Sequence, residues 1–82
     1  MFSVLMDKKV IKCLEQYPLS IKNRILDKMN DVLENPFRHF KKLKQRSEYS
    51  MHVGVYRVIA DIDTSSRKII VTKVGRRKHV YD

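Results

Sequence analysis

Arg57 lies inside an otherwise apolar run, Val55-Tyr56-Arg57-Val58-Ile59. A guanidinium there must be solvated, paired or aimed into a cleft, because an isolated buried charge costs too much. Asp61 or Asp63 is one set of partners, an open sheet face is another setting, and a bound anion is the third. Ser50 and His52 come shortly before it and stand two apart, so on a strand they share a side. An imidazole ordinarily titrates near pH ~6.5 and can give or take a proton at neutrality. Downstream, Gly75-Arg76-Arg77-Lys78-His79-Val80-Tyr81 sets three consecutive cations beside an imidazole and a phenol. Arginine grips a phosphate with two bonds, and tyrosine stacks on a base. Cations for phosphate, titrating groups for proton transfer and an aromatic for stacking together suit chemistry on a polynucleotide. The plain alternatives are ordinary polar histidines at 52 and 79 and a frayed basic terminus.

A fourth group is purely basic. Arg38, Lys41, Lys42, Lys44 and Arg46 occur with no acid among them, and Phe37, Phe40 and Leu43 are interleaved at three-residue spacing. The apolar three anchor a loop or short turn to the core. The cations are then either merely solvated or used against phosphates. Across all 82 residues the net charge is +9. Residues 1–34 carry +1 of it and residues 35–82 carry +8. So lopsided a distribution points to a polyanion or an acidic partner.

The remaining composition excludes several classes. The length fits a single domain, 1–82, of modest intrinsic stability. No apolar run approaches the ~18 residues of a membrane span. Residues 1–7 lack the basic and apolar regions of a signal peptide, so the expected location is cytoplasmic. Cys13 is the one cysteine, which rules out an internal disulfide, and with three histidines it makes no spaced zinc signature. It reads as a small helix residue rather than a nucleophile, and His39 has no assigned role. No metal or cofactor is expected.

Elements must position these groups. Phe2 to Met6 reads as a first strand, and Asp7 as the N-cap of a helix. Val10, Ile11, Leu14 and Tyr17 form that helix's apolar stripe, stopped at Tyr17-Pro18. A second helix starts near Leu19 or Ser20, carries Ile21, Ile25, Met29 and Val32 in one row, and ends at Asn35-Pro36. From Tyr49 the period becomes two. Tyr49 to Val53 and Val55 to Ile62 read as strands about a turn or bulge at Gly54. Tyr56, Val58, Ala60 and Ile62 share one face; Val55, Arg57, Ile59 and Asp61 share the other. A turn at 63–66 leads to the last strand, Lys68 to Val74, ended by Gly75. The order β-α-α-β-β-β implies an α+β fold, with a helical hairpin packed on a mostly antiparallel sheet.

Three motifs together resemble the RelE/ParE toxin superfamily, on the RelE side. Glu34-Asn35-Pro36 with Lys42-Leu43-Lys44 is similar to its helix-ending Asn-Pro and K-x-L-x segment. Val53-Gly54-Val55-Tyr56-Arg57-Val58 resembles its V-G-x-Y-R-V strand. Val74-Gly75-Arg76-Arg77-Lys78-His79-Val80-Tyr81 resembles its G-x-R-x-x-V-Y ending. The resemblance implies the toxin of a toxin–antitoxin pair, an endoribonuclease that cuts mRNA in the ribosomal A site. The chemistry would be attack of a ribose 2′-OH on the adjacent phosphate. Arg57 and Arg77 would stabilise charge on phosphorus, and Arg77 would also serve the leaving group. Tyr81 would orient or stack on the substrate and aid proton transfer. Lys41, Lys42, Lys44, Arg46, Arg76 and Lys78 would bind ribosomal RNA or the message backbone. Some members carry two cations where this chain has Ser50 and His52, so His52 or His79 is the expected replacement base. The implied partners are the ribosome, mRNA and a RelB-like antitoxin with an acidic or amphipathic segment. Two other classes stand beside this one: a ParE-like inhibitor of DNA gyrase, and a relative that binds RNA or antitoxin without catalysis.

Overall fold

The computed structural model describes residues 1–76. Strand β1 spans Ser3–Met6, helix α1 Lys8–Glu15 and helix α2 Leu19–Asp31. A short 3-10 turn at Pro36–Arg38 leads to β2 (Lys41–Lys42), β3 (Tyr49–Val53), β4 (Tyr56–Asp63) and β5 (Lys68–Arg76). The sheet order is β1-β5-β4-β3-β2. Among the described residues only β1 and β5 pair in parallel; the other neighbours are antiparallel. The α+β layering and the mostly antiparallel sheet agree with the sequence reading.

Local chemistry explains where elements begin and end. The Asp7 carboxylate accepts from the Val10 amide at 2.9 Å, satisfying one orphan donor of α1 and contributing about 1 kcal/mol. Pro18 stands at the start of α2, where its missing N–H costs nothing. That helix stops at Asp31, short of the Asn35-Pro36 expected from sequence. Its last amides fold back, Val32 N–H onto the Met29 carbonyl and Leu33 N–H onto Asn30. Pro36 starts the 3-10 turn instead of ending the helix.

One core fills the space between the helices and one face of the sheet. Val10 and Leu14 enter it from α1, Ile25 and Met29 from α2, Met51 and Val53 from β3, and Val58 and Ala60 from β4. Ile69 and Val71 complete it from β5. Ile11 was expected in the apolar stripe of α1, yet it is exposed; the buried arc of so short a helix is narrower than the pattern suggested.

Two further expectations change. The 37–48 stretch holds a strand, so the order is β-α-α-β-β-β-β. Phe40 is buried and pins the chain, and Lys41 and Lys42 then pair with Ser50 and Tyr49. Gly75 does not end the last strand, which continues to Arg76 because Gly75 and Arg76 still pair with Arg57 and Tyr56.

Candidate nucleic-acid interface

The sheet face turned away from the helices carries the candidate chemistry. Residues directly opposite one another on neighbouring strands share a face, so register assigns it. One rung runs Lys41–Ser50–Ile59–Lys73 across four strands. The next runs His52–Arg57–Gly75. Ser50 and Ile59 are buried, while Lys41 and Lys73 are exposed at the two ends of their rung. Neighbouring strands lie about 5 Å apart, so the cations of both rungs fall within a single patch.

Arg57 and His52 meet at its centre. Arg57 Nη2 lies 2.9 Å from His52 Nε2 and 3.4 Å from Nδ1. The two-residue turn Gly54-Val55 makes them neighbours, because it closes the hairpin one rung beyond them. Gly75, opposite Arg57 on its other side, adds no side chain over the guanidinium. Asp63, a candidate partner for Arg57, is committed elsewhere. It accepts from the Ser65 amide at 3.0 Å, the Ser65 hydroxyl at 2.7 Å and the Ser66 amide at 3.3 Å. These bonds hold its carboxyl below the usual range.

The other sequence candidates separate into groups. Lys41 lies on the Arg57 face. Lys42 pairs with Tyr49 and Arg76 pairs with Tyr56, which places both on the helix-facing side. Tyr56 marks that side by packing on Tyr17 with ring centroids 5.0 Å apart. Lys44 and Arg46 are exposed on the loop between β2 and β3. Arg77, Lys78, His79 and Tyr81 lie outside the described residues.

Lys73 was missed. Its signal was present, since period two in β5 places it with Gly75 on the Arg57 face, but a lone lysine in a β-branched run draws no notice. Arg24 was missed too, with only its net-neutral helix surroundings to judge by. It packs against Gly54, as described below. Cys13 plays a structural part: its thiol donates to the Val74 carbonyl at 3.4 Å and lies 3.5 Å from the Tyr17 hydroxyl, tying α1 to β5.

Comparison with known proteins assigns the fold and the family. A RelBE toxin–antitoxin complex of Mycobacterium tuberculosis matches with a TM-score of 0.84 at 22% identity, covering 93% of this chain and 98% of that one. An archaeal RelE–RelB complex of Pyrococcus horikoshii matches with a TM-score of 0.80 at 23% identity, over 96% of this chain and 98% of that one. The RelB–RelE complex of Methanococcus jannaschii gives 0.72 at 27% identity, over 95% of each chain. No curated protein matches the chain significantly. The model of the ParE toxin of type II toxin–antitoxin systems matches residues 4–81. Nearly the whole sequence is thus accounted for, and the chain belongs to the ParE toxin family of type II toxin–antitoxin systems, within the RelE/ParE superfamily.

Proposed function

We propose that this toxin is a ribosome-dependent endoribonuclease that cuts mRNA in the A site. In the reaction a ribose 2′-oxygen bonds to the adjacent phosphorus and the bond from phosphorus to the 5′-oxygen breaks. One group takes the 2′-OH proton and another protonates the leaving 5′-oxygen. The products are a 2′,3′-cyclic phosphate and a 5′-hydroxyl.

The observation that carries this reading is the 2.9 Å contact of Arg57 with His52 on the lysine-flanked sheet face turned away from the helices. A guanidinium has donors only, so the imidazole nitrogen it meets is an acceptor with its lone pair engaged. A phosphate oxygen is charged and competes well for arginine. Substrate binding at Arg57 then releases the imidazole lone pair beside the incoming ribose. His52 is thereby the base, and Arg57 stabilises the charge that builds on phosphorus. Arg77 and Tyr81 are assigned the leaving group and substrate stacking, with His79 as the other histidine able to move a proton. Lys41 and Lys73 flank the phosphate path. Lys42, Lys44, Arg46, Arg76 and Lys78 serve as sequence-blind contacts to ribosomal RNA or the message.

A second reading, a protein–protein poison of DNA gyrase, is favoured by one observation, the ParE description of the matching family. That activity has no use for a proton acceptor beside Arg57. Primer extension on a translated message separates the two. The nuclease gives cuts at A-site codons only when ribosomes are present, and Arg77→Ala removes them. Intact message with blocked supercoiling establishes the gyrase poison. A protein that does neither is a binding relative, and the proposal falls.

A further inference from the structure

The last two strands do not pair evenly. From Asp63 back to Ala60, β4 meets Lys68 to Val71 of β5 residue for residue. Beyond that point Ile59 meets Lys73, Val58 meets Val74 and Arg57 meets Gly75, so Thr72 is left over as a β-bulge. A shift of a single residue exchanges the two faces of a strand. Ile69 and Val71 face the core before the bulge, and Val74 packs against it afterwards, so the core-facing period of two is broken at Thr72.

An even register would assemble a different face. Thr72 would stand opposite Ile59, Lys73 opposite the buried Val58, and Val74 opposite Arg57. The lysine would then enter the core as an unpaired charge, and a branched side chain would stand beside the guanidinium. The bulge reverses both outcomes. It turns Lys73 out to the face of Arg57 and His52, and it sets Gly75, which has no side chain, opposite the arginine. Two contacts hold this register. The Thr72 hydroxyl donates to the Ile59 carbonyl at 3.3 Å and ties the extra residue back to β4. On the helix side, the Val74 carbonyl accepts from the Cys13 thiol at 3.4 Å.

We infer that the bulge at Thr72 assembles the anion-binding face around Arg57, with Thr72 as its positioning residue. The hydroxyl acts through β5, keeping Lys73 and Gly75 in the phase that the Arg57 site uses. Bulges beside active sites re-aim side chains in this way. The inference rests on the RNA-cleavage reading above for the identity of the anion, a phosphate of the RNA backbone.

The full chain, isotope-labelled, is titrated with an RNA trinucleotide whose 2′-deoxy sugar blocks cleavage, while Arg57 side-chain resonances are followed. Deuterium exchange of the β5 amides and urea unfolding are measured on the same proteins. Lys73→Ala and Gly75→Val are each expected to weaken binding about tenfold, the worth of one hydrogen bond to a charged group. Thr72→Val keeps the strand preference of threonine and loses only the donor. It is expected to speed exchange at Lys73 and Val74 and to weaken binding about threefold or more, part of the same loss. Thr72→Ser, which keeps the hydroxyl, is expected to match the parent in both. A Thr72→Val protein that loses stability and binds like the parent overturns the positioning role. Parent-like binding by both Lys73→Ala and Gly75→Val overturns the assembled face. Single-turnover cleavage of ribosome-bound message is measured in parallel. A parent that binds the trinucleotide and does not cut overturns the nuclease reading, while the order of affinities among the variants still decides the bulge.

Discussion

Arg57 Nη2 sits 2.9 Å from His52 Nε2, across the rung that pairs the two residues one step below the tip of the β3–β4 hairpin. Each therefore helps to position the other, and the proposed reaction requires a phosphate to take over the guanidinium. Arg57→Ala should lower single-turnover cleavage of ribosome-bound message by about 10²–10³-fold, the usual cost of one lost charge-stabilising donor. His52→Ala should lower it by about 10²–10⁴-fold, the range of general base catalysis. The double variant should be little worse than the more damaging single one, because the two act as a unit. His79→Ala, measured separately, assigns the base. Full rates in both histidine variants would remove histidine from the mechanism.

Gly54 serves two ends at once. Its φ of 62° lies in the left-handed region, and its missing side chain leaves room for Arg24. Gly54→Ala should destabilise the fold by about 1–2 kcal/mol, the cost of the left-handed region for an L-residue. The crowding adds little to this, because the atoms met are the far end of a flexible side chain. Gly54→Asn should cost less, since asparagine tolerates that conformation. Urea unfolding midpoints for the three proteins test the order. An alanine variant as stable as the parent would show that the turn relaxes freely.

Much of this arrangement was legible in the residues themselves. Period two from Tyr49 onward assigned Arg57 and Ile59 to the face opposite Tyr56, Val58 and Ala60, and the register agrees. Asp7 announced its helix by capping chemistry that is local to four residues. What stayed hidden depended on pairing between distant segments. Nothing near Lys41 signals a strand; it becomes one by meeting Ser50. The same pairing separates Lys41 from Lys42, which the charge pattern had grouped together. The contact of Arg57 with His52, in place of Asp61 or Asp63, follows from the length of the turn at Gly54 and from Asp63 being spent on Ser65 and Ser66. Arg24 was invisible for a related reason: its role comes from the tip of a hairpin 30 residues away in sequence.

The antitoxin interface should depend on salt. Lys41, Arg57 and Lys73 share one sheet face, and eight of the nine net positive charges lie in residues 35–82. A partner covering that face with acidic residues gains from charge attraction, which screening removes. The Debye length falls from about 10 Å at 0.1 M salt to about 3 Å at 1 M. The dissociation constant of the complex with the cognate antitoxin should therefore rise steadily over that range, chiefly through slower association. Calorimetry at several salt concentrations measures it. A flat response would mean that apolar contacts hold the pair and that the cationic face stays outside the interface.

Tyr17 should contribute to the loss of stability at alkaline pH. Burial raises its phenol well above the ordinary value, and the neighbouring Cys13 and Tyr56 add to the effect. The folded state thus keeps the phenol protonated at a pH where the unfolded chain ionises it. A raised folded pKa gives stability that is complete below the unfolded value of about 10 and is lost as pH climbs beyond it. Tyr17→Phe removes this term. At neutral pH the variant should lose at most about 1 kcal/mol, since the hydroxyl's contact with the Cys13 sulfur is long at 3.5 Å. Above pH ~10 the parent should lose stability faster than the variant, so the two curves converge. Urea unfolding of both proteins from neutral to strongly alkaline pH provides the comparison. Parallel curves would show that the phenol ionises as readily in the folded protein as in the unfolded chain, and that the packing of Tyr17 between α1 and Tyr56 does not shield it from water.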